Sequence, residues 1–196
     1  MFDLSVVCVY CASSAMVDRV YFDAVERLAC EFVRNEIHVV YGGGAIGLMG
    51  RLADTVWAEG GKITGVMPKF MDDVEWSHQH LTELIFTETM HQRKARMIEN
   101  IDAVIALPGG TGTLEELFEV ITLKRLGLFT KPIVILNTNN FYKPLKEMLN
   151  KCVDENFMKP KHLSMWSFVD QPEDVITTIK NTPQWSKDAI NFAVVW

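Results

Sequence analysis

ALPGGTGTLEELFEVI, residues Ala106–Ile121, joins a short apolar run to a helix-like segment through three glycines. The helix-like segment opens with two adjacent carboxylates, Glu115 and Glu116. Glycine leaves backbone N–H groups accessible, and a helix N-terminus carries partial positive charge, so this turn predicts an anion site suited to phosphate. Thr113 to Glu116 also fits the S/T-x-x-E capping box, and the second interpretation is that these residues only start the helix.

The turn belongs to a regular alternation of apolar, strand-like runs and segments with helical periodicity. The predicted strands are LSVVCVYC, IHVVY, KITGVMP, LIFTET, AVIALPGG and KPIVILN, and the predicted helices span residues 18–36, 46–60, 90–101, 113–127 and 141–157. Near-continuous apolar strands that alternate with helices predict an α/β fold in which helices cover both faces of a parallel sheet. Residues 70–81 are rich in charged and histidine side chains and are predicted to form a polar loop or lid.

The 196 residues are 48% hydrophobic and 22% charged, which is typical of a globular domain. No linker or repeat divides them, so residues 1–196 are predicted to form a single domain, with a core of about 4–180 and a C-terminal tail at 181–196. A net charge of −6 without a long basic run argues against a nucleic-acid polymer as partner. The chain shows no signal-peptide pattern and no apolar run near the roughly 20 residues of a membrane span, so we expect a cytoplasmic protein with a small-molecule ligand and no membrane partner.

Gly42, Gly44 and Gly47 match G-x-G-x-x-G between a strand and a helix, a pattern that favours a dinucleotide site. Such a site expects a carboxylate about 20 residues further on, at the end of the next strand, and KITGVMP has none. NAD is therefore disfavoured, and the alternative is that these glycines only permit a tight turn. The PGGTGT turn also lacks the Lys-Ser/Thr ending of a P-loop, which disfavours ATP hydrolysis.

Cys8 and Cys11 form a CxxC inside an apolar, strand-like run. Residues three apart on a strand point to opposite faces and cannot readily form a disulfide, and no second CxxC completes a zinc site. We therefore expect buried core cysteines and no metal site.

Ligand sites in open α/β sheets lie beyond the carboxyl ends of the strands, where the strand order reverses. Four segments follow predicted strands in this way: CASS, with Ser13 and Ser14, YGGG, with Gly43 and Gly44, PGGTGTLEE, and FTETMHQRK. We expect function to concentrate in these segments.

MHQRKARM, residues 90–97, starts a predicted helix with four basic side chains. Cations are unfavourable at a helix N-terminus, so an anion or a carboxylate partner is expected for Arg93 and Lys94. A solvated basic face is the alternative, mainly for Arg96. His91 is equally consistent with a site contact and with a structural hydrogen bond.

The motifs CVYCASS, YGGGAIGLMG, MHQRKARM and PGGTGTLEE, together and in this order, resemble those of the LOG (lonely guy) family of cytokinin riboside 5′-monophosphate phosphoribohydrolases, long labelled lysine decarboxylases. The resemblance covers about Leu4 to Asn156. It implies a Rossmann-like, doubly wound homodimer that hydrolyses the N-glycosidic bond of N6-modified AMP to free base and ribose 5-phosphate without a cofactor. The stretch 117–129 is apolar on more than one face, which favours a dimer surface, with burial inside the monomer as the alternative. The decarboxylase label lacks support, because no Schiff-base lysine segment is recognisable.

By this resemblance, Arg93 of MHxRK and Glu116 of PGGxGTxxE are the catalytic pair. The implied substrate-binding residues are Glu75, Lys94, Gly109, Gly110, Thr111, Gly112, Thr113, Leu114, Glu115 and Thr122. Further candidate contacts are Ser13, Ser14, Gly43, Gly44, Met90 and His91. The chain departs from the family pattern at Ala12, where glycine is usual, and at Thr111, where tyrosine is frequent, and these departures concern the phosphate turn and the base preference.

Cleavage of a C1′–N bond develops positive charge on the ribose, as in glycoside hydrolysis. Glu116 is expected to stabilise the oxocarbenium or to orient the attacking water, with Glu115 on the ribose hydroxyls. Arg93 is expected to position Glu116 or to bind the phosphate, and Lys94 to be a second phosphate or substrate contact. Two other functions stay open: a general purine 5′-nucleotide N-glycosidase and a non-catalytic carrier of a nucleotide or of molybdenum cofactor.

Overall fold

A computed structural model describes residues 4–72 and 77–193. Its seven strands form one parallel sheet in the order β4-β3-β2-β1-β5-β6-β7. The strands are β1 (Val6–Tyr10), β2 (His38–Tyr41), β3 (Ile63–Pro68), β4 (Glu83–Thr87), β5 (Ala103–Ala106), β6 (Ile133–Leu136) and β7 (Ser167–Val169). The helices are α1 (Arg19–Arg34), α2 (Gly47–Ala58), α3 (Lys69–Asp72), α4 (Met90–Met97), α5 (Thr111–Arg125), α6 (Lys143–Asp154), α7 (Asp174–Asn181) and α8 (Ile190–Ala193).

Alternate residues of the strands belong to two separate hydrophobic clusters, one on each face of the sheet. Val7 and Val9 of β1 pack with α1, α2 and α7, whereas Cys8 and Tyr10 pack with α4, α5 and α6. This arrangement confirms the prediction of an α/β fold with helices on both faces of a parallel sheet. Cys8 and Cys11 are buried, free and in opposite clusters, as the strand spacing predicts.

The strand order reverses at β1. The chain builds β1 to β4 in one direction and then returns to place β5 on the other side of β1. The segments that follow β1 and β5 therefore diverge at their carboxyl ends and leave a crevice, which is where ligands bind in open α/β sheets.

The structure differs from the sequence-based expectation in two places. The last strand, β7, and the helices α7 and α8 were not predicted; a strand of three residues is too short to show periodicity. The predicted polar loop at 70–81 begins inside the short helix α3. The assignment of all of residues 1–196 to one domain stays a prediction. Among the described residues, no helix is long and apolar enough to cross a bilayer.

Lys124 on α5 is a buried cation, with a side chain only 1% exposed. Its Nζ donates a hydrogen bond to the carbonyl of Lys131 at 2.6 Å and so fastens the loop that leads into β6. Burial lowers the pKa of Lys124 from 10.5 to about 8, because the charged form loses its hydration. The fold therefore carries a cost for this charge at neutral pH.

Lys124→Met should reveal that cost through its pH dependence. Below about pH 8 the lysine is protonated in both states, and the folded protein bears the full penalty; above 10.5 both states are neutral and the penalty is gone. The native protein should therefore gain about 3 kcal/mol relative to the variant as the pH rises through this window. Urea unfolding of both proteins at matched pH values measures this difference, and a constant difference would contradict it.

Candidate active site

A cleft of about 340 Å³ opens at the strand reversal, between the segments that follow β1 and β5. One side is formed by Ser13 and Ser14 of the CASS segment, and the opposite side by Gly110–Thr113 at the start of α5. Arg93 from α4 and Glu116 from α5 line its interior. Gly42 of the YGGG segment also lines it, so the structure brings all four segments expected to carry function to one cavity.

The N-terminus of α5 is open towards this cleft. Its N-cap residue is Gly110, no side chain caps the helix, and the first bond within the helix runs from the Leu114 N–H to the Gly110 carbonyl at 3.0 Å. The N–H groups of residues 111–113, in the first turn of α5, are among those that an α-helix leaves without a hydrogen-bond partner within the helix. A Cβ built on Gly110 or Gly112 would meet no atom within 4 Å, so space lies in front of this turn. The geometry suits an anion.

The capping-box interpretation of Thr113–Glu116 is wrong. The helix begins at Thr111, so Thr113 is its third residue and Glu116 belongs to its second turn. The Thr113 side chain instead packs on Gly109, where any Cβ would overlap it. Glycine at this position therefore lets the turn close tightly against the helix, and Glu116 remains available for another partner.

That partner is Arg93. Its Nη1 donates to Glu116 Oε1 at 2.8 Å, its Nε donates to the Val66 carbonyl at 3.0 Å, and its Nη2 donates to the Gly42 carbonyl at 3.3 Å. A Cβ on Gly42 would overlap the guanidinium, so the first glycine of YGGG makes room for this side chain. Arg93 thus ties α4 to β3, to the turn after β2 and to α5.

The ion pair of Arg93 and Glu116 is largely shielded from solvent, with Arg93 7% exposed and Glu116 8% exposed. Burial raises the pKa of Glu116 above its ordinary value, and the neighbouring Arg93 charge opposes that rise. A carboxylate of this kind interacts strongly with any positive charge that develops beside it, because little water screens the interaction.

Lys94, the next residue on α4, points to a different group of carboxylates. Its Nζ lies 2.5 Å from Glu115 Oε1 and 2.8 Å from Glu119 Oε2. Hydrogen bonds to these two carboxylates raise the pKa of Lys94. Three basic residues of this helix, Arg93, Lys94 and Arg96, therefore have carboxylate partners; Arg96 pairs with Glu99 on the surface. Neither Lys94 nor Glu115 lines the cleft.

The apolar wall of the cleft consists of methionines from several elements. Met49 of α2 and Met97 of α4 are buried, whereas Met90 and Met71 are only partly covered. Of these, only Met90 was anticipated from the sequence. Met49 and Met97 lie at helical positions that are typical of core packing, so no sequence signal separates them from ordinary core residues. Met71 lies in the segment 70–81, which was predicted as a polar loop.

Several other predicted site residues lie outside the cleft lining. Gly43 accepts a hydrogen bond from the His78 N–H at 3.1 Å, and Gly44 forms a β-bridge with Ser77. Thr122 donates to the Phe118 carbonyl at 2.8 Å on the exposed side of α5. The remaining residues outside the lining are His91, Gly109 and Leu114. Glu75 lies outside the described residues.

Removing either charge of the buried ion pair should destabilise the protein, and the two losses should differ in their pH dependence. Glu116→Gln leaves the Arg93 charge without a counter-charge, and Arg93→Ala leaves the Glu116 carboxylate buried alone; each should cost about 3 kcal/mol near pH 7. Acid should relieve only Arg93→Ala, because Glu116 can take up a proton and become neutral. Denaturant unfolding at pH 7 and pH 5 tests this, and equal losses at both pH values for Arg93→Ala would contradict it.

The fold and the cleft together define a Rossmann-like α/β protein with an anion-ready helix N-terminus beside a buried carboxylate. A family model described as possible lysine decarboxylase matches residues 49–179. The cytokinin riboside 5′-monophosphate phosphoribohydrolase LOG2 of Arabidopsis thaliana is 45% identical over 152 residues, which cover 78% of this chain and 71% of that protein. LOG5 of the same plant, which has the same enzyme name, is 43% identical over 166 residues, 85% of this chain and 72% of that protein. The chain belongs to the LOG family.

Solved structures agree with the fold. The molybdenum cofactor binding protein from the phototrophic bacterium Rippkaea orientalis superposes with a TM-score of 0.68 over 92% of this chain and 98% of its own, at 18% sequence identity. A likeness at this identity concerns the architecture alone. Of the described residues that line the cleft, none is a lysine, so the described lining offers no amine for a Schiff base with pyridoxal phosphate.

Proposed function

We propose that this protein hydrolyses the N-glycosidic bond of N6-modified adenosine 5′-monophosphates and releases the free base and ribose 5-phosphate. The observation that carries the proposal is the buried Glu116 carboxylate, which lines the same cleft as the open N-terminus of α5. The names of the LOG relatives support this reaction. A simple anion carrier has no use for a buried carboxylate beside its anion site.

The 5′-phosphate is placed at the N–H groups of Thr111 to Thr113, where the helix dipole favours negative charge. Helix geometry advances about 1.5 Å per residue, so Glu116 lies about 5 Å further along the axis than Thr113. A ribose held by its phosphate at the helix end therefore extends towards the carboxylate. The proposed phosphate site and Glu116 therefore follow one another along the helix as the phosphate and the ribose do in the substrate.

The chemistry needs one water molecule and no redox partner. The C1′–N bond breaks with its electron pair leaving on the base, positive charge develops on the ribose, and the Glu116 carboxylate stabilises that charge or holds the water. The water oxygen bonds to C1′, and one water proton is transferred to the departing base. Arg93 fixes the orientation of Glu116 through their 2.8 Å contact, and its charge opposes the rise in the pKa of Glu116 that burial causes.

Lys94 and Glu115 are assigned a supporting role. Because Lys94 already contacts Glu115 and Glu119, a phosphate would have to compete with two carboxylates for it. We therefore place Glu115 near the ribose hydroxyls, with Lys94 fixing its orientation, and assign the phosphate to the helix N-terminus. The homodimer and the cytoplasmic location stay predictions. In the stretch 117–129, the side chains buried in the chain itself are Leu117, Val120, Ile121, Lys124 and Phe129, whereas Phe118 and Leu128 are exposed.

Glu116→Gln should lower the turnover of N6-isopentenyl-AMP by about 10²-fold or more, since the charge that stabilises the transition state is removed while the shape is kept. Arg93→Ala should cause a loss of the same order through a misplaced carboxylate. Chromatography of free base and ribose 5-phosphate measures both. Arg96→Ala, which removes a surface arginine from the same helix, is the matched control and should retain near-native turnover. Near-native release of base by Glu116→Gln would remove the proposed role of Glu116.

The 5′-phosphate should be required for efficient hydrolysis, because the open helix N-terminus supplies the main binding contacts. We expect kcat/KM for N6-isopentenyl-AMP to exceed that for the corresponding riboside by about 10²-fold, which corresponds to roughly two charge-assisted hydrogen bonds. Parallel assays with AMP and GMP establish the base preference. Equal rates on the riboside and the monophosphate would contradict the phosphate assignment.

A further inference from the structure

The turn between β5 and α5 is held through both backbone polar groups of one residue, Leu107. The Leu107 N–H donates to the Tyr10 carbonyl on β1 at 2.8 Å, and the Leu107 carbonyl accepts from the Tyr142 hydroxyl at 2.7 Å. Leu107 is fully buried, and Tyr142 is 1% exposed. Since Leu107 immediately precedes the turn that leads to Gly110, its position sets where the N-terminus of α5 lies in the cleft.

Tyr142 is itself fixed by neighbours outside the cleft. Its backbone N–H donates to Asn137 Oδ1 at 2.8 Å, and Asn137 Nδ2 donates to Asp170 Oδ1 at 2.9 Å. Its ring meets Phe141 edge-on, with centroids 5.0 Å apart, and Phe141 meets Tyr21 of α1 at 6.1 Å. A chain of polar and aromatic contacts therefore connects the ends of β6 and β7 to the glycine turn.

The Tyr142 hydroxyl is the side-chain group that satisfies the Leu107 carbonyl. Without it the Leu107 carbonyl would be a buried acceptor with no side-chain partner, and the peptide would move to find another. Burial raises the pKa of Tyr142, so its hydroxyl remains a donor at every pH at which the protein works.

We propose that Tyr142 is a positioning residue for the phosphate-binding turn: its hydroxyl bond to the Leu107 carbonyl sets the open helix N-terminus in register with Glu116. The assignment rests on the proposed function for its kinetic consequence. Tyr142 touches no substrate, since it does not line the cleft. Its effect passes through Leu107 and the glycines that follow.

Tyr142→Phe removes the hydroxyl and preserves the ring, and substrates with and without a phosphate separate positioning from mere stability. The variant should raise KM for N6-isopentenyl-AMP about tenfold, the effect of one buried hydrogen bond, and leave kcat/KM for the riboside unchanged. The ratio of the two kcat/KM values should fall about tenfold. If Tyr142 had a purely structural role, the variant would have a lower melting temperature and its kcat/KM would fall equally for both substrates. An unchanged ratio therefore overturns the proposal.

Tyr21→Phe is the matched control, because it removes a hydroxyl from the same aromatic cluster without a bond to the turn; it should leave the ratio at its native value. If Tyr142→Phe does not fold, Asn137→Ala replaces it. That variant removes the acceptor of the Tyr142 N–H and should change the ratio in the same direction. An unaltered ratio in a folded Asn137→Ala protein then counts against the proposal.

A binding measurement separates this proposal from the proposed function. Calorimetric titration with ribose 5-phosphate needs no hydrolysis, and Tyr142→Phe should bind it about tenfold more weakly than the native protein and Tyr21→Phe do. If the native protein releases no base from either substrate, the proposed function fails while this titration still decides the role of Tyr142. Equal affinity in all three proteins overturns the positioning role whatever the activity.

Discussion

The ion pair between Arg93 and Glu116 is the interaction on which the cleft depends. Two buried charges are costly unless each is satisfied, and here the guanidinium also bonds to the carbonyls of Val66 and Gly42. One side chain therefore connects α4 to β3, to the turn after β2 and to the carboxylate on α5. The glycine at position 42 follows from this arrangement, because any larger residue would displace the guanidinium.

Much of the fold is readable from the sequence because the local and the global patterns agree. Continuous apolar strands can only be buried on both faces, and the helical segments between them show which faces they cover. The edge strand β7 escaped prediction because three residues contain too little pattern. The start of α5 was placed two residues late, since Thr113–Glu116 has a capping-box sequence while the chain caps the helix with Gly110 instead.

The candidate site was only partly predictable. Glycine turns at strand ends identify where a ligand binds, and the family motifs single out Arg93 and Glu116. Their contact joins residues 23 positions apart, and no local rule predicts such a contact. The partner of Lys94, the methionine wall and the bond from Tyr142 to Leu107 also depend on tertiary structure. Periodicity cannot distinguish a core methionine from one at the edge of a cleft.

The open N-terminus of α5 also bears on how a product leaves. Among the described residues that line the cleft, Arg93 is the one cation, and it is already neutralised by Glu116. If the phosphate binds at this helix end, as proposed, backbone dipoles hold it rather than an ion pair of its own. On that proposal, ribose 5-phosphate would leave without breaking a salt bridge, and the helix end that binds the substrate would also favour rapid release of the sugar phosphate.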